Sequence, residues 1–150
     1  TAVIASIGGG GLIAGVGSAI KALRPEVKIF GVEPETAAPA ALSFEKGSPQ
    51  EFPNWKASFV DGAGGQSMFP RMWERMKPIV DGYLVVTLEE TKNAMRLLAE
   101  KARVIAEGAG ALPVAAALSG KAGKGPIVAI VSGGNIDLQK FCDLISHSDY

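Results

Sequence analysis

Residues 2–15, AVIASIGGGGLIAG, decide the fold, because an apolar run passes through four glycines into a segment with helical spacing. Glycine has no Cβ, so consecutive glycines allow positive φ angles that turn successive N–H groups toward one point. Helical spacing continues to residue 24, and the amino terminus of such a helix attracts anions through its unpaired N–H groups and its dipole. The pattern predicts a strand, a loop and a helix that form a phosphate site at Gly8, Gly9, Gly10 and Gly11. No Lys-Ser/Thr pair ends the loop, which excludes the ATPase type of phosphate loop.

The rest of the chain alternates between strand-like and helix-like segments. Apolar runs predict strands at 28–32, 82–86 and 126–131, the last of them fully buried on both faces. Helical patterns are present at 36–44, 68–76, 88–102, 109–118 and from residue 137 onward, and a T-x-x-E capping box precedes the third of these. The alternation predicts an α/β fold with an open, mostly parallel sheet and helices on both faces. Ligands bind such sheets at the carboxyl ends of the strands.

The composition narrows the functional class. The 150 residues suit one domain, 47% of them are hydrophobic, and 15 basic residues balance 15 acidic ones. Without a basic cluster or a long apolar stretch, the sequence predicts neither nucleic-acid binding nor a membrane span. The lone Cys142 suits a reducing, cytoplasmic location. Because the chain starts inside a strand with a buried pattern, it is expected to be part of a longer protein.

Two interpretations of the glycine loop are open from the residues themselves. Gly9, Gly11 and Ala14 satisfy the G-x-G-x-x-A pattern of dinucleotide-binding domains, and Glu33 lies near the position of the acid that binds a ribose. Four successive glycines, however, suit the compact nest of N–H groups that binds a monophosphate. A second glycine turn, SGGN at 132–135, follows the last predicted strand and offers a hydroxyl beside it. That turn is alternatively a simple entry into the last helix.

Together, these segments resemble the fold type II pyridoxal phosphate enzymes, specifically the serine/threonine dehydratase and serine racemase group. The matching stretches are IGGGGLIAG at 7–15, KIFGVEPE at 28–35, VTLEET at 86–91, AEGAGALPVAAAL at 106–118 and VSGGN at 131–135. They occur in the family's order and span nearly the whole chain. The resemblance covers only the C-terminal half of the family, so residues 1–150 are expected to form part of its large, cofactor-binding domain.

The resemblance implies roles for particular residues. The glycine loop, Gly8–Gly11 with the amide of Leu12, would bind the phosphate of the cofactor. Ser132, with Gly133 beside it, would hydrogen-bond the pyridine nitrogen. The Schiff-base lysine belongs to the family's N-terminal half, in a Ser-x-Lys-type context that none of the ten lysines here occupies. The isolated chain is therefore predicted to be inactive.

Three further sites are weaker. The resemblance places a cation site at Glu33 and the carbonyl of Ala37, but Pro39 stands where some relatives have an aspartate, so a monovalent ion, a divalent ion or none is expected. Glu33 is alternatively a plain strand-end acid. Glu107 is either a favourable charge at a helix amino terminus or a residue near the cofactor. The stretch at 61–65, DGAGG, is either a flexible turn only or a turn whose backbone approaches the cofactor ring.

The activity implied by the resemblance is the elimination of water from a β-hydroxy amino acid. The substrate would be serine, threonine or a relative, and the products would be a 2-oxo acid and ammonia. Racemisation shares the first proton abstraction and stays open. The partners implied are the small amino-acid substrate, the N-terminal half of the same enzyme and a second copy in a homodimer. The alternatives are an NAD- or FAD-binding oxidoreductase domain and an inactive scaffold fragment.

Overall fold

The computed structural model describes residues 1–146. Four strands alternate with six α-helices, and the fourth helix continues into a π-helical turn at Leu98–Ala102. The strands are β1 (Ala2–Ser6), β2 (Lys28–Pro34), β3 (Gly82–Val86) and β4 (Ile127–Ala129). The helices are α1 (Gly11–Leu23), α2 (Pro39–Lys46), α3 (Pro70–Met76), α4 (Leu88–Leu97), α5 (Gly108–Leu118) and α6 (Leu138–Ser146).

All four strands form one parallel sheet in the order β3-β2-β1-β4. Ala2 of β1 pairs with Lys28 on one side and Ile127 on the other, so β1 lies in the interior of the sheet. Because the strands are parallel, their carboxyl ends share one edge. The glycine loop after β1 and the SGGN turn after β4 therefore leave the sheet side by side.

Helices cover both faces of the sheet, as the sequence predicts. Successive β1 residues point to opposite faces, so Ile4 packs into one buried cluster and Val3 into the other. The first cluster joins the sheet to α4, α5 and α6, and the second joins it to α1 and α3. The α/β fold with helices on both faces is confirmed.

Several element boundaries also agree with the sequence. Strand β3 has the predicted bounds, and α4 begins with a complete capping box, in which the Thr87 hydroxyl accepts from the Glu90 amide and the Glu90 carboxylate accepts from the Thr87 amide. Helix α5 is buried along most of its length, as its uncharged sequence indicates. No described helix has both the length and the apolar character required to cross a bilayer.

Three predictions about elements need correction. Helix α2 begins at Pro39, later than predicted, because proline favours the first helical turn, where its missing N–H costs nothing. The predicted helix at 88–102 is α-helical only as far as Leu97 and continues as a π-helical turn, in which Ala102 is exposed. The predicted buried strand at 126–131 shortens to β4, an edge strand in which Val128 is 49% exposed.

Candidate functional site

The glycine loop forms one wall of a cleft at the carboxyl edge of the sheet. Strand β1 ends at Ser6, two residues before Gly8. Gly10 occupies the cap position of α1 with φ 91°. Only glycine adopts that left-handed conformation without strain. No side chain caps α1, and among residues 1–146 no hydrogen-bond acceptor takes up the N–H groups of Gly9, Gly11 or Leu12. These donors and the positive end of the helix dipole remain available for an anion.

The space around this loop fits a phosphate. A Cβ at Gly9 or Gly11 would meet nothing within 4 Å, so the loop is open on the ligand side. On the other side it is closely packed, since a Cβ at Gly8 would lie 2.9 Å from the carbonyl oxygen of Gly62 and one at Gly10 would lie 2.8 Å from Sδ of Met76. The loop is thus a rigid backbone cradle rather than a loose turn.

The cleft has a volume of about 310 Å³, within the range of roughly 300–1,000 Å³ for small-ligand sites. It extends from the glycine loop to the end of β4. Its lining residues are Ser6, Gly8, Gly9, Gly10, Gly11, Leu12, Gly62, Glu107, Ala109 and Ser132. The sequence-predicted residues at opposite ends of the chain thus meet in one cavity.

Ser132 forms the opposite wall, on a turn fixed by the amino terminus of α5. The amide of Glu107 donates to the carbonyl oxygen of Gly133 at 3.1 Å. A Cβ at Gly110 would lie 2.3 Å from that same oxygen, so the turn and the helix touch through backbone atoms alone. Ser132 is exposed in the cleft, whereas Gly133 lies behind it, against Glu107. Ser132 therefore lines the same cleft as the glycine loop.

One polar lining residue, Ser6, has no predicted role from sequence. Ser6 ends β1 and its hydroxyl donates to the carbonyl oxygen of Ala109, which ties the first strand to α5. The only available signal for Ser6 was one polar residue at the end of an apolar strand. Gly62 belongs to the predicted 61–65 turn and does line the cleft. That the turn contacts a cofactor ring stays a prediction.

Glu33 lies outside the cleft, under the amino terminus of α2. Its carboxylate accepts from the amides of Ala40 and Ala41 at 3.0 and 2.8 Å, and the residue is 1% exposed. A buried carboxylate bound in this way presents no oxygen to a ribose, which argues against the dinucleotide interpretation. The Ala37 carbonyl faces Gly64, where a Cβ would lie 2.7 Å from its oxygen. Within residues 1–146 no group of three or more His, Cys, Asp or Glu side chains could hold a metal.

Burial raises the pKa of the Glu33 carboxyl to about 7, against the partial opposing effect of the two amide hydrogen bonds. Between about pH 4.5 and pH 7 the folded protein therefore keeps a proton that the unfolded chain releases. Hence the free energy of unfolding is expected to fall as pH rises through this window, by roughly 1.4 kcal/mol per pH unit. Urea unfolding across the window measures the slope.

In that experiment Glu33→Gln should remove the slope, since glutamine does not titrate. Glu35→Gln is the matched control, because Glu35 is an exposed neighbour whose carboxylate accepts from the Leu88 amide. The control is expected to keep the wild-type slope. Equal slopes in wild type and Glu33→Gln would contradict the assignment.

Comparisons with known proteins agree with this geometry. The family model described as pyridoxal-phosphate dependent enzyme matches residues 1–133. The catabolic L-threonine dehydratase TdcB of Staphylococcus aureus strain N315 is 41% identical over 150 residues, covering 97% of this chain and 43% of the relative. The processed form of threonine deaminase isoform 2 from Solanum lycopersicum superposes with a TM-score of 0.87 at 33% identity, over 97% of this chain and 43% of the other. For maize serine racemase the TM-score is 0.84 at 32% identity, over 97% and 47%. The chain thus spans less than half the length of these relatives.

Proposed function

This chain belongs to the family of pyridoxal-phosphate-dependent enzymes, and from this premise we propose that it is the C-terminal portion of a dehydratase for β-hydroxy amino acids. The intact enzyme would convert serine, threonine or a relative into a 2-oxo acid and ammonia. One observation carries the proposal: the glycine loop and Ser132 line the same cleft. The similarity to a threonine dehydratase, a threonine deaminase and a serine racemase supports the substrate class.

Within this proposal the chain's own residues bind and orient the cofactor. The amides of Gly9, Gly11 and Leu12 and the α1 dipole would hold the phosphate. The Ser132 hydroxyl would donate to the ring nitrogen, with Gly133 fixing the backbone beside it. Bound pyridoxal phosphate supplies an electron sink for the carbanion at the substrate's α-carbon.

The remaining parts of the site would come from elsewhere in the protein. No lysine lines the cleft within residues 1–146, so the Schiff-base lysine is assigned to the family's N-terminal half. A homodimer and a cytoplasmic location belong to the same proposal. A cation near Glu33 and Ala37 stays a prediction, and it would compete with the two amides that now bind the Glu33 carboxylate.

A substrate screen on the intact protein tests the proposal. Loaded with pyridoxal phosphate, it should release 2-oxo acid from serine or threonine, and chiral analysis of the remaining serine separates elimination from racemisation. Competition separates the cofactor classes. If NAD or FAD saturates the cleft and pyridoxal phosphate does not bind, the proposed dehydratase function is wrong. Binding of the cofactor without either reaction would leave the scaffold alternative.

The predicted hydrogen bond of Ser132 can be tested separately. Ser132→Ala removes one hydroxyl from an exposed position, so stability should change by less than about 0.5 kcal/mol. One neutral hydrogen bond contributes on the order of 1 kcal/mol, so the affinity of the intact enzyme for pyridoxal phosphate should fall about fivefold. Fluorescence titration of the apoenzyme with pyridoxal phosphate measures this affinity. Ser18→Ala, an exposed serine on α1 away from the cleft, is the control and should bind as wild type does. Unchanged affinity in Ser132→Ala would make Ser132 a turn residue only.

A further inference from the structure

Helix α5 contains a proline in its interior, and this proline leaves one carbonyl group without its usual partner. In an α-helix each amide donates to the carbonyl four residues earlier, and α5 follows this pattern from its start, where the Ala111 amide donates to the Glu107 carbonyl at 3.0 Å. Pro113 has no N–H, so the helix offers no such donor to the carbonyl of Ala109. Because Ala109 is only 4% exposed, an unpaired carbonyl there would lower stability.

Ser6 supplies the missing donor from another element of the fold. Its hydroxyl donates to the carbonyl oxygen of Ala109, and both residues are buried. A hydroxyl has one hydrogen to donate, and this bond uses it. Although Ser6 lines the cleft, it therefore has no hydrogen to offer the phosphate of a ligand. Any effect of Ser6 on a ligand passes through the two elements that it joins.

The Ser6 hydrogen bond lies on the path that joins the glycine loop to the Ser132 turn. The glycine loop begins two residues after Ser6. On the other side of the bond, Ala109 lies in the first turn of α5, and the cap residue of that helix, Glu107, donates through its amide to the Gly133 carbonyl at 3.1 Å. Ser132 directly precedes Gly133. The first turn of α5 thus connects the two walls of the cleft.

Direct pairing between the strands does not extend as far as these two turns. Among residues 1–146 the last backbone hydrogen bond between the segment of β1 and the segment after β4 runs from the Ile130 amide to the Ile4 carbonyl, at 3.0 Å. Both residues lie two positions before the ends in question, Ser6 and Ser132. Beyond that bond, the separation of the two walls depends on the contacts that each of them makes with α5.

We propose that Ser6 is a positioning residue: by bonding the carbonyl that Pro113 leaves free, it fixes the distance between the phosphate loop and the Ser132 hydroxyl. The inference rests on the proposed function, in which one pyridoxal phosphate molecule reaches both places. A rigid ligand that is bound at two ends binds best when the protein already holds both partners at the matching distance. Without the Ser6 bond, α5 and the Ser132 turn shift relative to the glycine loop, and the contact with the ring weakens.

The test compares Ser6→Ala in two backgrounds of the intact protein. In wild type, Ser6→Ala leaves the Ala109 carbonyl without a donor, so the melting temperature of the apoenzyme should fall by roughly 2–4 °C and the affinity for pyridoxal phosphate about threefold. In Pro113→Ala, the new alanine gives that carbonyl an N–H within α5. There Ser6→Ala should lower the melting temperature by less than about 1 °C, whereas the affinity should still fall about threefold, because the bond to β1 is lost in both backgrounds. Differential scanning fluorimetry and fluorescence titration measure the two quantities.

Two further variants serve as controls. Ser43 is a matched buried serine outside the cleft, whose hydroxyl donates to the carbonyl of Pro39 in α2 at 2.6 Å. Ser43→Ala should lower the melting temperature and leave the affinity for pyridoxal phosphate within about 1.5-fold of wild type. Ser132→Ala removes the contact that Ser6 positions. In a protein that carries Pro113→Ala and Ser132→Ala, adding Ser6→Ala should therefore cause almost no further loss of affinity, because coupled residues are not additive.

The outcomes separate this inference from the proposed function. If the intact protein binds no pyridoxal phosphate, the proposed function fails. If it binds the cofactor, an affinity that Ser6→Ala leaves unchanged in the Pro113→Ala background overturns the inference alone, since Ser6 would then only pair a carbonyl. An equal loss of affinity in Ser43→Ala would also overturn it, because any loss of stability would then weaken binding. Should Ser6→Ala alone fail to fold, the double variant carries the test. Failure of both to fold would show that Pro113→Ala does not replace the Ser6 bond, and it would overturn the inference too.

Discussion

A polypeptide of these 150 residues alone is expected to release no 2-oxo acid from serine or threonine. The proposed elimination would need a lysine that forms a Schiff base with the cofactor and takes the α-proton. None of the ten lysines, all of which lie within residues 1–146, lines the cleft. Several are engaged elsewhere: Lys21 pairs with Asp81 at 2.8 Å, and Lys121 donates to the carbonyl oxygen of Val85. A coupled assay for 2-oxo acid, on material whose folding is checked by circular dichroism, measures the outcome.

Borohydride trapping gives the control for this expectation. Reduction in the presence of pyridoxal phosphate, followed by peptide mass spectrometry, should find only low and scattered modification of surface lysines. Addition of a polypeptide that carries the rest of the family's sequence should restore turnover if the two pieces associate. Specific trapping on one lysine of this chain, together with turnover, would show that the catalytic base is already here.

Short-range patterns predicted the fold well because they depend only on neighbouring residues. The capping box at Thr87 and Glu90 is such a case, since its two hydrogen bonds span three residues. The strand at 126–131 shows the limit. A continuous apolar run indicates that both faces can be buried, but it does not say whether the neighbouring elements are within the chain. Within residues 1–146 β4 pairs with β1 alone, and Val128 is half-exposed.

The role of Glu33 depended on an element boundary that the sequence does not define sharply. An acid at the end of β2 suits a ribose, a cation or a helix amino terminus equally well in sequence. The amides of Ala40 and Ala41 receive its carboxylate only because α2 starts at Pro39. With the helix predicted from residue 36, those amides would have been paired inside it.

Local sequence patterns predicted some of the residues that line the cleft, but not how they are arranged. Gly8–Gly11 and Ser132 were predicted separately, from a glycine nest and from a resemblance, and parallel strand order brings them together. For Glu107 the sequence left two roles open, and its place in the cleft required three-dimensional information. Its distance from Gly133 is set by the contact between α5 and the turn after β4, and no local pattern encodes that contact.

Gly10→Asp is expected to abolish cofactor binding by the intact enzyme and to lower its stability. Gly10 has φ 91°, and a Cβ there would lie 2.8 Å from Sδ of Met76 and 3.2 Å from Cε of Met72. The left-handed conformation costs roughly 1–2 kcal/mol for a residue with a Cβ, and the overpacking adds about 1–3 kcal/mol. The carboxylate also places a negative charge beside the phosphate. Thermal unfolding and fluorescence titration with pyridoxal phosphate measure the two effects.

Because Gly10→Asp combines strain with charge, a matched pair at Gly9 isolates the charge. Gly9 is open to the cleft, and a Cβ there meets nothing within 4 Å. Gly9→Asp and Gly9→Asn have nearly equal shape, so both should fold. Two like charges about 4 Å apart repel by about 4 kcal/mol at an effective dielectric constant of roughly 20, so the aspartate should bind pyridoxal phosphate at least a hundredfold more weakly than the asparagine. Gly15→Ala, in the exposed part of α1, should bind normally and gain up to about 1 kcal/mol in stability. Equal affinities for the two Gly9 variants would mean that the phosphate does not lie at this loop, whatever Gly10→Asp does to the fold.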